Sequence, residues 1–216
     1  MALTSLVRRS HMTPDERHFL LRRLHSLSGV VPVGLFLLQH IYHNAYAIQG
    51  REAYGRITAE LQGIPFAIVL EVGLIWIPIL FHALYGFYVV FTGQNNVRHY
   101  PYMKNWMYVM QRTTGAFLFF YIVFHVITTW GTRAHGPEMY DVMVYELSKP
   151  AVFWFYILGL AAAIFHFCNG LWMFSISWGI TVGEKSQRLT AYACLGLGLL
   201  LYFVGFWSLL SFKGGA

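Results

Sequence analysis

Five long apolar segments constrain this chain more than any other feature of its sequence. Inside a bilayer the backbone polar groups must bond within the segment, so about 20 consecutive apolar residues predict a membrane-spanning helix. Hydrophobic residues make up 57% of the 216 residues and charged residues only 11%, which excludes an ordinary soluble domain. The predicted spans are Leu24–Ala47, Pro65–Thr92, Thr113–Trp130, Ala151–Trp178 and Leu189–Phe212.

The connections between these segments are too short to form a separate soluble domain. We therefore predict an all-α fold, a polytopic bundle of five transmembrane helices that makes residues 1–216 a single membrane domain. Residues 1–23 carry several arginines and no apolar core, which is not the pattern of a cleavable signal peptide. Because Arg22 and Arg23 adjoin the first span, we interpret residues 1–23 as a basic arm at the membrane surface and not as a nucleic-acid-binding segment.

The distribution of positive charge predicts the orientation of the bundle. One side holds residues 1–23 and the connections after the second and fourth spans, with ten lysines and arginines in all, whereas the other side holds five. The more positive side of a membrane protein is generally cytoplasmic. We therefore predict an inner (cytoplasmic) membrane protein with a cytoplasmic N-terminus, and we call the basic side the inner side.

Four of the predicted spans each contain one deeply placed histidine. An ionisable side chain in a membrane span predicts a functional site, because its burial in lipid is costly. At a rise of 1.5 Å per residue, His40 and His125 lie about 10 Å and about 8 Å from the outer face. On the same scale His82 and His166 lie about 26 Å and about 22 Å from it. The depths therefore predict two pairs, one outer and one inner.

Two imidazoles that face each other across a bundle can serve as axial ligands of haem iron. The sequence thus predicts four histidine-bearing helices that enclose two haems, with His40 and His125 at the outer haem and His82 and His166 at the inner one. The chain has no C-x-x-C-H motif, so both haems would be bound without covalent attachment. His43 lies one turn beyond His40 and is an alternative outer ligand.

A weak internal repeat accompanies the histidines. The second and fourth spans both contain H-x-x-x-G, and the first and third both have an arginine at the inner end followed by a glycine. Small residues near a ligand leave room for a flat macrocycle or for a close neighbouring helix. The residues concerned are His82 with Gly86, His166 with Gly170, Arg23 with Gly29, and Arg112 with Gly115.

Haem propionates and quinone oxygens need cationic or hydroxyl partners near the membrane edges. The inner-side candidates for these contacts are Arg22, Arg23, His25, Ser26, Ser28, Arg112 and Arg188. On the outer side, Glu71 is the one carboxylate inside a predicted span. Because such a placement costs about 2.5–3.5 kcal/mol on insertion scales, we consider Glu71 a candidate for proton transfer to or from quinone.

Several short motifs are spread over nearly the whole chain from about residue 18. They are RRLHSL at 22–27 leading to His40, FHALYG at 81–86, QRTTG at 111–115 leading to His125, IFHF at 164–167, NGLW at 169–172, WGIT at 178–181 and SQR at 186–188. This set resembles the di-haem cytochrome b membrane anchor of succinate dehydrogenases and fumarate reductases, in its single-subunit, five-helix form.

The resemblance implies that His40 and His125 hold the distal haem and that His82 and His166 hold the proximal one. It also implies a flavoprotein subunit that interconverts succinate and fumarate, an iron–sulfur subunit docked on the cytoplasmic face, and menaquinone as the quinone. The anchor would pass electrons between the iron–sulfur subunit and quinone, and the dicarboxylate site would belong to the soluble partner and not to this chain.

Three other interpretations of the histidines stay open at this stage. A cytochrome b anchor of a quinone-linked hydrogenase or formate dehydrogenase would share the two histidine pairs. A transporter or proton channel could use the histidines as proton relays, without haem. A haem-free anchor could contain them as hydrogen-bonded structural residues.

Overall fold

Helices account for all of the regular secondary structure in the part of the chain that the structure describes. The computed structural model describes residues 12–132 and 134–214. In chain order its α-helices are α1 (Pro14–Val30), α2 (Pro32–Ala45), α3 (Arg51–Gln62), α4 (Ala67–Glu71), α5 (Ile77–Thr92), α6 (Met103–Thr128), α7 (Pro137–Ser148), α8 (Pro150–Ser177) and α9 (Glu184–Gly214). A π-helix, Val72–Trp76, joins α4 to α5, and 3₁₀ turns follow α2 and α6.

Five of the helical segments are long and apolar enough to cross a membrane, which confirms the predicted all-α, five-span fold. They are Pro14–Gln49, Ala67–Thr92, Met103–Thr132, Pro150–Ser177 and Glu184–Gly214. Several of them extend beyond the apolar segments seen in the sequence, because helical hydrogen bonding continues into polar residues until a cap or a turn ends it.

The first span begins at Pro14, ten residues before the apolar segment starts. A capping box starts the helix: the Thr13 hydroxyl accepts the Glu16 backbone N–H at 3.2 Å, and the Glu16 carboxylate accepts the Thr13 N–H at 3.0 Å. The second half of the predicted basic arm is therefore the inner end of α1. Residues 1–11 lie outside the described residues.

Two prolines interrupt the first two spans without ending them. Pro32 follows the junction of α1 and α2. At this junction the N–H of Val31 still donates to the carbonyl of Leu27, and the carbonyl of Val31 accepts from the N–H of Leu35. In the second span the π-helix precedes Pro78, the second residue of α5. Proline has no backbone N–H to donate, so local rearrangement of the helical hydrogen bonds is expected at both places.

The histidine-bearing helices contact one another, and the fifth span packs outside them. Helix α1 contacts α5 and α8, and α6 contacts α5 and α8. Helix α9 packs along α8 and contacts α2. The buried cluster between α2, α8 and α9 includes the two cysteines, Cys168 and Cys194, both of which are free thiols.

Two short helices outside the predicted spans, α3 and α7, contact each other on the outer side and form what we call the outer cap. Arg51 donates two hydrogen bonds to Asp141, at 2.8 Å and 2.6 Å. The Arg51 guanidinium lowers the pKa of the Asp141 carboxyl below its ordinary value. Tyr54 of α3 and Tyr140 of α7 are buried against Phe212 near the outer end of α9. The outer cap therefore continues the core of the bundle.

Candidate functional site

The structure brings His40 and His125 together on the outer side of the bundle. His40 lies on α2 and His125 on α6, 85 positions apart in the printed sequence. Their ring centroids are 5.7 Å apart and the ring planes are nearly perpendicular, at 82°. Their proximity is thus entirely a product of helix packing.

The second pair, His82 and His166, has nearly the same geometry. His82 lies on α5 and His166 on α8, with ring centroids 6.1 Å apart and ring planes at 89°. The structure therefore groups the four histidines in the two pairs that their depths predict.

The spacing of the two pairs matches a metal held between two imidazoles. A bond from metal to imidazole nitrogen is about 2 Å long, so two rings on opposite sides of one metal have centroids about 6 Å apart. Within the described part of the chain, no hydrogen bond joins the two rings of either pair. Two imidazoles per level are a donor set that can hold a metal or a haem iron.

Backbone carbonyls orient both histidines of the inner pair. The Nδ1 atom of His82 lies 3.0 Å from the carbonyl oxygen of His25, and that of His166 lies 3.0 Å from the carbonyl oxygen of Gln111. A carbonyl can only accept a hydrogen bond, so each Nδ1 is the protonated nitrogen. Each Nε2 is then left with a lone pair that can bind a metal.

Two glycines of the internal sequence repeat allow the inner histidine rings to reach these carbonyls. Four residues after each acceptor carbonyl stands a glycine, Gly29 or Gly115. A Cβ atom at Gly29 would lie 2.9 Å from Nδ1 of His82, and one at Gly115 would lie 2.9 Å from Cε1 of His166. Only a residue without a side chain allows the ring to approach the helix so closely.

Hydroxyl groups complete the surroundings of the inner pair. The Ser28 hydroxyl lies 3.5 Å from Nδ1 of His82, and the Thr114 hydroxyl lies 3.3 Å from Nδ1 of His166. The Ser28 hydroxyl also donates to the His25 carbonyl at 2.9 Å, whereas the Thr114 hydroxyl donates to the Met110 carbonyl at 2.7 Å and lies 3.2 Å from that of Gln111. The first and third spans thus provide the same three elements, a carbonyl, a hydroxyl and a glycine, to the histidine they face.

The two glycines of the H-x-x-x-G motifs lie against a neighbouring helix, which is the second of the two arrangements that their spacing predicts. A Cβ atom at Gly86 would lie 3.4 Å from Nε2 of His25, and one at Gly170 would lie 3.2 Å from Nε2 of Gln111. They accommodate side chains of the neighbouring helix. Gln111 uses this space to donate to the His166 carbonyl at 3.0 Å and to accept from Asn169 at 2.7 Å.

A tyrosine contacts the outer pair. Nδ1 of His125 lies 3.2 Å from the hydroxyl oxygen of Tyr156 on α8. His43, the alternative ligand, has other partners: its Nε2 lies 2.9 Å from the Thr58 hydroxyl, and its ring stacks on Tyr54 at 5.1 Å. The outer cap therefore holds His43 away from the pair formed by His40 and His125.

Three buried side-chain atoms without a hydrogen-bond partner lie around the inner half of the bundle. They are Nε2 of His25, the Tyr85 hydroxyl and Nε of Arg112, within the part of the chain that the structure describes. The His25 ring stacks on His82 at 4.2 Å with an interplanar angle of 8°. Buried polar groups need partners, so these atoms point to a polar ligand group that binds on this side.

The remaining inner-side candidates are divided between the bundle and its surface. Arg23 donates to the carbonyl of Ser177 at 2.6 Å and lies over the Trp178 ring, whose N–H donates to Ser26 at 3.0 Å. The Arg112 guanidinium lies 3.3 Å from the centroid of the Tyr108 ring. These contacts hold the two arginines close to the ends of the histidine-bearing helices.

Three predicted residues lie further from the histidine pairs or at the surface. Arg188 forms an ion pair at 2.9 Å with Glu184, one turn earlier on the exposed surface of α9. Arg22 is exposed at the inner end of α1. Glu71 is half-buried where α4 meets the π-helix, near the outer end of the second span.

Tyr156, Gln111 and Thr114 contact the histidines and are absent from the residues predicted for the site. One signal for Tyr156 was available: a phenol well inside an apolar span needs a hydrogen-bond partner. The acceptor carbonyls have no signature in a sequence, because every residue has one.

Comparison with known proteins identifies the family. The sequence profile described as "Succinate dehydrogenase/Fumarate reductase transmembrane subunit" matches residues 95–206. The chain is also 43% identical over 197 residues to the succinate dehydrogenase cytochrome b558 subunit of Bacillus subtilis (strain 168), covering 91% of this chain and 98% of the relative. The chain belongs to this family.

Family membership confirms the resemblance found in the sequence motifs. The chain is a membrane-anchor cytochrome b subunit of a succinate:quinone oxidoreductase, and it is a multi-pass membrane protein. As a cytochrome b it binds haem b and works with quinone and with the other subunits of an oxidoreductase complex. This finding favours the succinate dehydrogenase interpretation over a hydrogenase anchor or a proton-relay protein.

Proposed function

We propose that this anchor binds two haem b groups without covalent attachment, each between two histidines. His40 and His125 are the axial ligands on the outer side, and His82 and His166 are those on the inner side. The observation that carries the proposal is the geometry of the two pairs, with ring centroids 5.7 Å and 6.1 Å apart on four different helices.

The hydrogen bonds of the rings support coordination through Nε2. The carbonyls of His25 and Gln111 hold the protons of the inner pair on Nδ1. When bound between these histidines, haem would supply one-electron transfer. The chain's own task is to hold two such sites at different depths, so that electrons cross part of the bilayer between the iron–sulfur subunit and quinone.

The inner-side residues supply partners for anionic or carbonyl oxygens. We assign haem-propionate or quinone contacts to the seven inner-side candidates named from the sequence, which are Arg22, Arg23, His25, Ser26, Ser28, Arg112 and Arg188. The partnerless buried nitrogens of His25 and Arg112 give these two the strongest support. The ion pair of Arg188 with Glu184 gives Arg188 the weakest.

On the outer side, Glu71 is the proposed proton donor or acceptor for quinone. Its carboxylate lies in the first turns of the second span, about 6 Å from the outer end of that helix at 1.5 Å per residue. A carboxylate there can exchange protons with the outer aqueous phase while it remains close to lipid-soluble quinone.

The positive charge of the inner side supports a cytoplasmic N-terminus in the inner (cytoplasmic) membrane. The iron–sulfur subunit would dock on this inner face and carry the flavoprotein with it. We propose menaquinone as the quinone, and we assign the dicarboxylate site to the flavoprotein and not to this chain.

The proposal is tested by haem stoichiometry in the purified, assembled complex. A pyridine haemochrome assay should give about two haem b per anchor chain, and each of His40→Ala, His82→Ala, His125→Ala and His166→Ala should remove one of them. A complex that retains both haems in any of these four variants would contradict the ligand assignment for that histidine.

A further inference from the structure

The two histidine pairs differ in what their ring nitrogens contact. At the inner pair both Nδ1 atoms donate to backbone carbonyls, whereas at the outer pair Nδ1 of His125 lies 3.2 Å from the hydroxyl of Tyr156. We propose that Tyr156 is a positioning residue for His125. The Tyr156 hydroxyl accepts the proton on Nδ1 of His125, which leaves Nε2 of His125 free to bind iron. This inference rests on the proposed function, because it takes His125 to be an axial ligand.

The direction of these hydrogen bonds follows from Thr128, the last of three hydrogen-bonded side chains that begin with His125 and Tyr156. The Thr128 hydroxyl lies 3.0 Å from the carbonyl of Phe124, which can only accept, so the single hydroxyl proton of Thr128 is donated there. Thr128 must then act as the acceptor toward Tyr156, 3.2 Å away. The proton of Tyr156 is thereby used, and its oxygen faces His125 as an acceptor.

The burial of Tyr156 supports this direction of the hydrogen bonds. Only 2% of the Tyr156 surface is exposed, and its ring packs against Tyr121 and Phe124. A buried phenol that loses a hydrogen-bond partner destabilises the folded protein. The Tyr156 hydroxyl therefore needs both neighbours. If His125 donates to Tyr156 and Tyr156 donates to Thr128, all three side chains have hydrogen-bond partners.

The proposed hydrogen bond has an electronic consequence for the outer site. A ligand imidazole that donates its second N–H to an acceptor becomes a more basic ligand. A more basic ligand favours the ferric over the ferrous state, so Tyr156 should lower the midpoint potential of the outer haem. The inner haem, whose ligands use backbone carbonyls, should be insensitive to this side chain.

The test is a redox titration of the assembled complex that carries Tyr156→Phe. The outer haem is identified as the one-electron step that His125→Ala removes. In Tyr156→Phe we expect the outer haem's ferrous-to-ferric ratio at a fixed potential to rise by up to about tenfold, which is about 59 mV for a one-electron couple. The ferric low-spin EPR signal of that haem should change as well, with the inner haem unaltered.

Two further variants separate the hydrogen bond from packing. Tyr121→Phe is the matched control, because Tyr121 stacks on the same His125 ring at 5.9 Å, whereas the His125 Nδ1 is bonded to Tyr156 and not to the Tyr121 hydroxyl. It should leave both potentials unchanged. Thr128→Val removes the acceptor of the Tyr156 proton and should shift the outer haem in the same direction as Tyr156→Phe, by a smaller amount.

The outcomes distinguish this inference from the proposed function. A Tyr156→Phe complex with two haems and unchanged potentials and EPR signals would overturn the role of Tyr156 and leave the ligand assignment intact. An equal shift in Tyr121→Phe would also overturn it. Selective loss of the outer haem in Tyr156→Phe, with Tyr121→Phe unaffected, would support it. If His125→Ala retains both haems, the proposed function itself fails.

Discussion

Gly29 of α1 packs directly against the ring of His82 on α5, and a Cβ atom at this position would clash with Cε1 of that imidazole. The ring can therefore reach the carbonyl of His25 only because position 29 has no side chain. The same relationship connects Gly115 with His166. The inner imidazoles can thus occupy their positions only because the facing helices have glycine at the points of contact.

Gly29→Ala should displace His82 and reduce the occupancy of the inner haem. The added methyl group has no space to enter, and overpacking of this kind costs about 1–3 kcal/mol. Haem content measured with the pyridine haemochrome assay should fall toward one per chain. The matched control is Gly196→Ala on α9, where a Cβ atom meets nothing within 4 Å. Alanine is the better helix former by about 1 kcal/mol, so the control should keep both haems. Full occupancy in Gly29→Ala would contradict the proposed packing role.

His43→Ala should retain both haems, although His43 is the alternative outer ligand. Its ring is engaged with Thr58 and Tyr54 in the outer cap, so its loss should cost only about 1 kcal/mol of stability from the hydrogen bond. The measurement compares haem content in His43→Ala and His40→Ala. If His43→Ala loses the outer haem and His40→Ala keeps it, the ligand assignment must be exchanged.

Arg112→Gln should lower the midpoint potential of the inner haem. Reduction adds an electron to that site, and a nearby cation stabilises the added negative charge. The buried Nε of Arg112 has no hydrogen-bond partner in the described structure, as expected of a residue that completes its bonds to a bound group. Arg98→Gln, which removes an exposed charge on the same side, is the control. Equal effects of the two variants would indicate general surface electrostatics.

Glu71→Gln should slow quinone reduction while both haems stay bound. A positioned general acid or base typically contributes at least about a hundredfold to a rate, so a loss of tenfold or more is expected if Glu71 carries the proton. Succinate:quinone turnover and haem reduction by succinate should be measured together, with the exposed Glu138→Gln on the outer cap as the control. Unchanged turnover and proton coupling in Glu71→Gln would remove this residue from the proposal.

Much of this architecture was predictable because a bilayer imposes simple rules. Apolar segments of sufficient length must be helices, so the five spans follow from composition and length. Depth along a helix follows from the rise per residue, so the grouping of His40 with His125 and of His82 with His166 is a matter of counting. The sequence motifs add the family, which the comparisons confirm.

Only the tertiary structure decided which atoms orient the histidines. The acceptors of the inner rings are the carbonyls of His25 and Gln111, and a backbone carbonyl has no signature in a sequence. The partner of His125 is Tyr156, whose role depends on the rotation of α8 relative to α6. The outer cap likewise depends on a contact between α3 and α7, which two membrane spans separate along the chain. Periodicity and hydrophobicity specify how deep a residue lies in the membrane, whereas lateral packing specifies what it meets there.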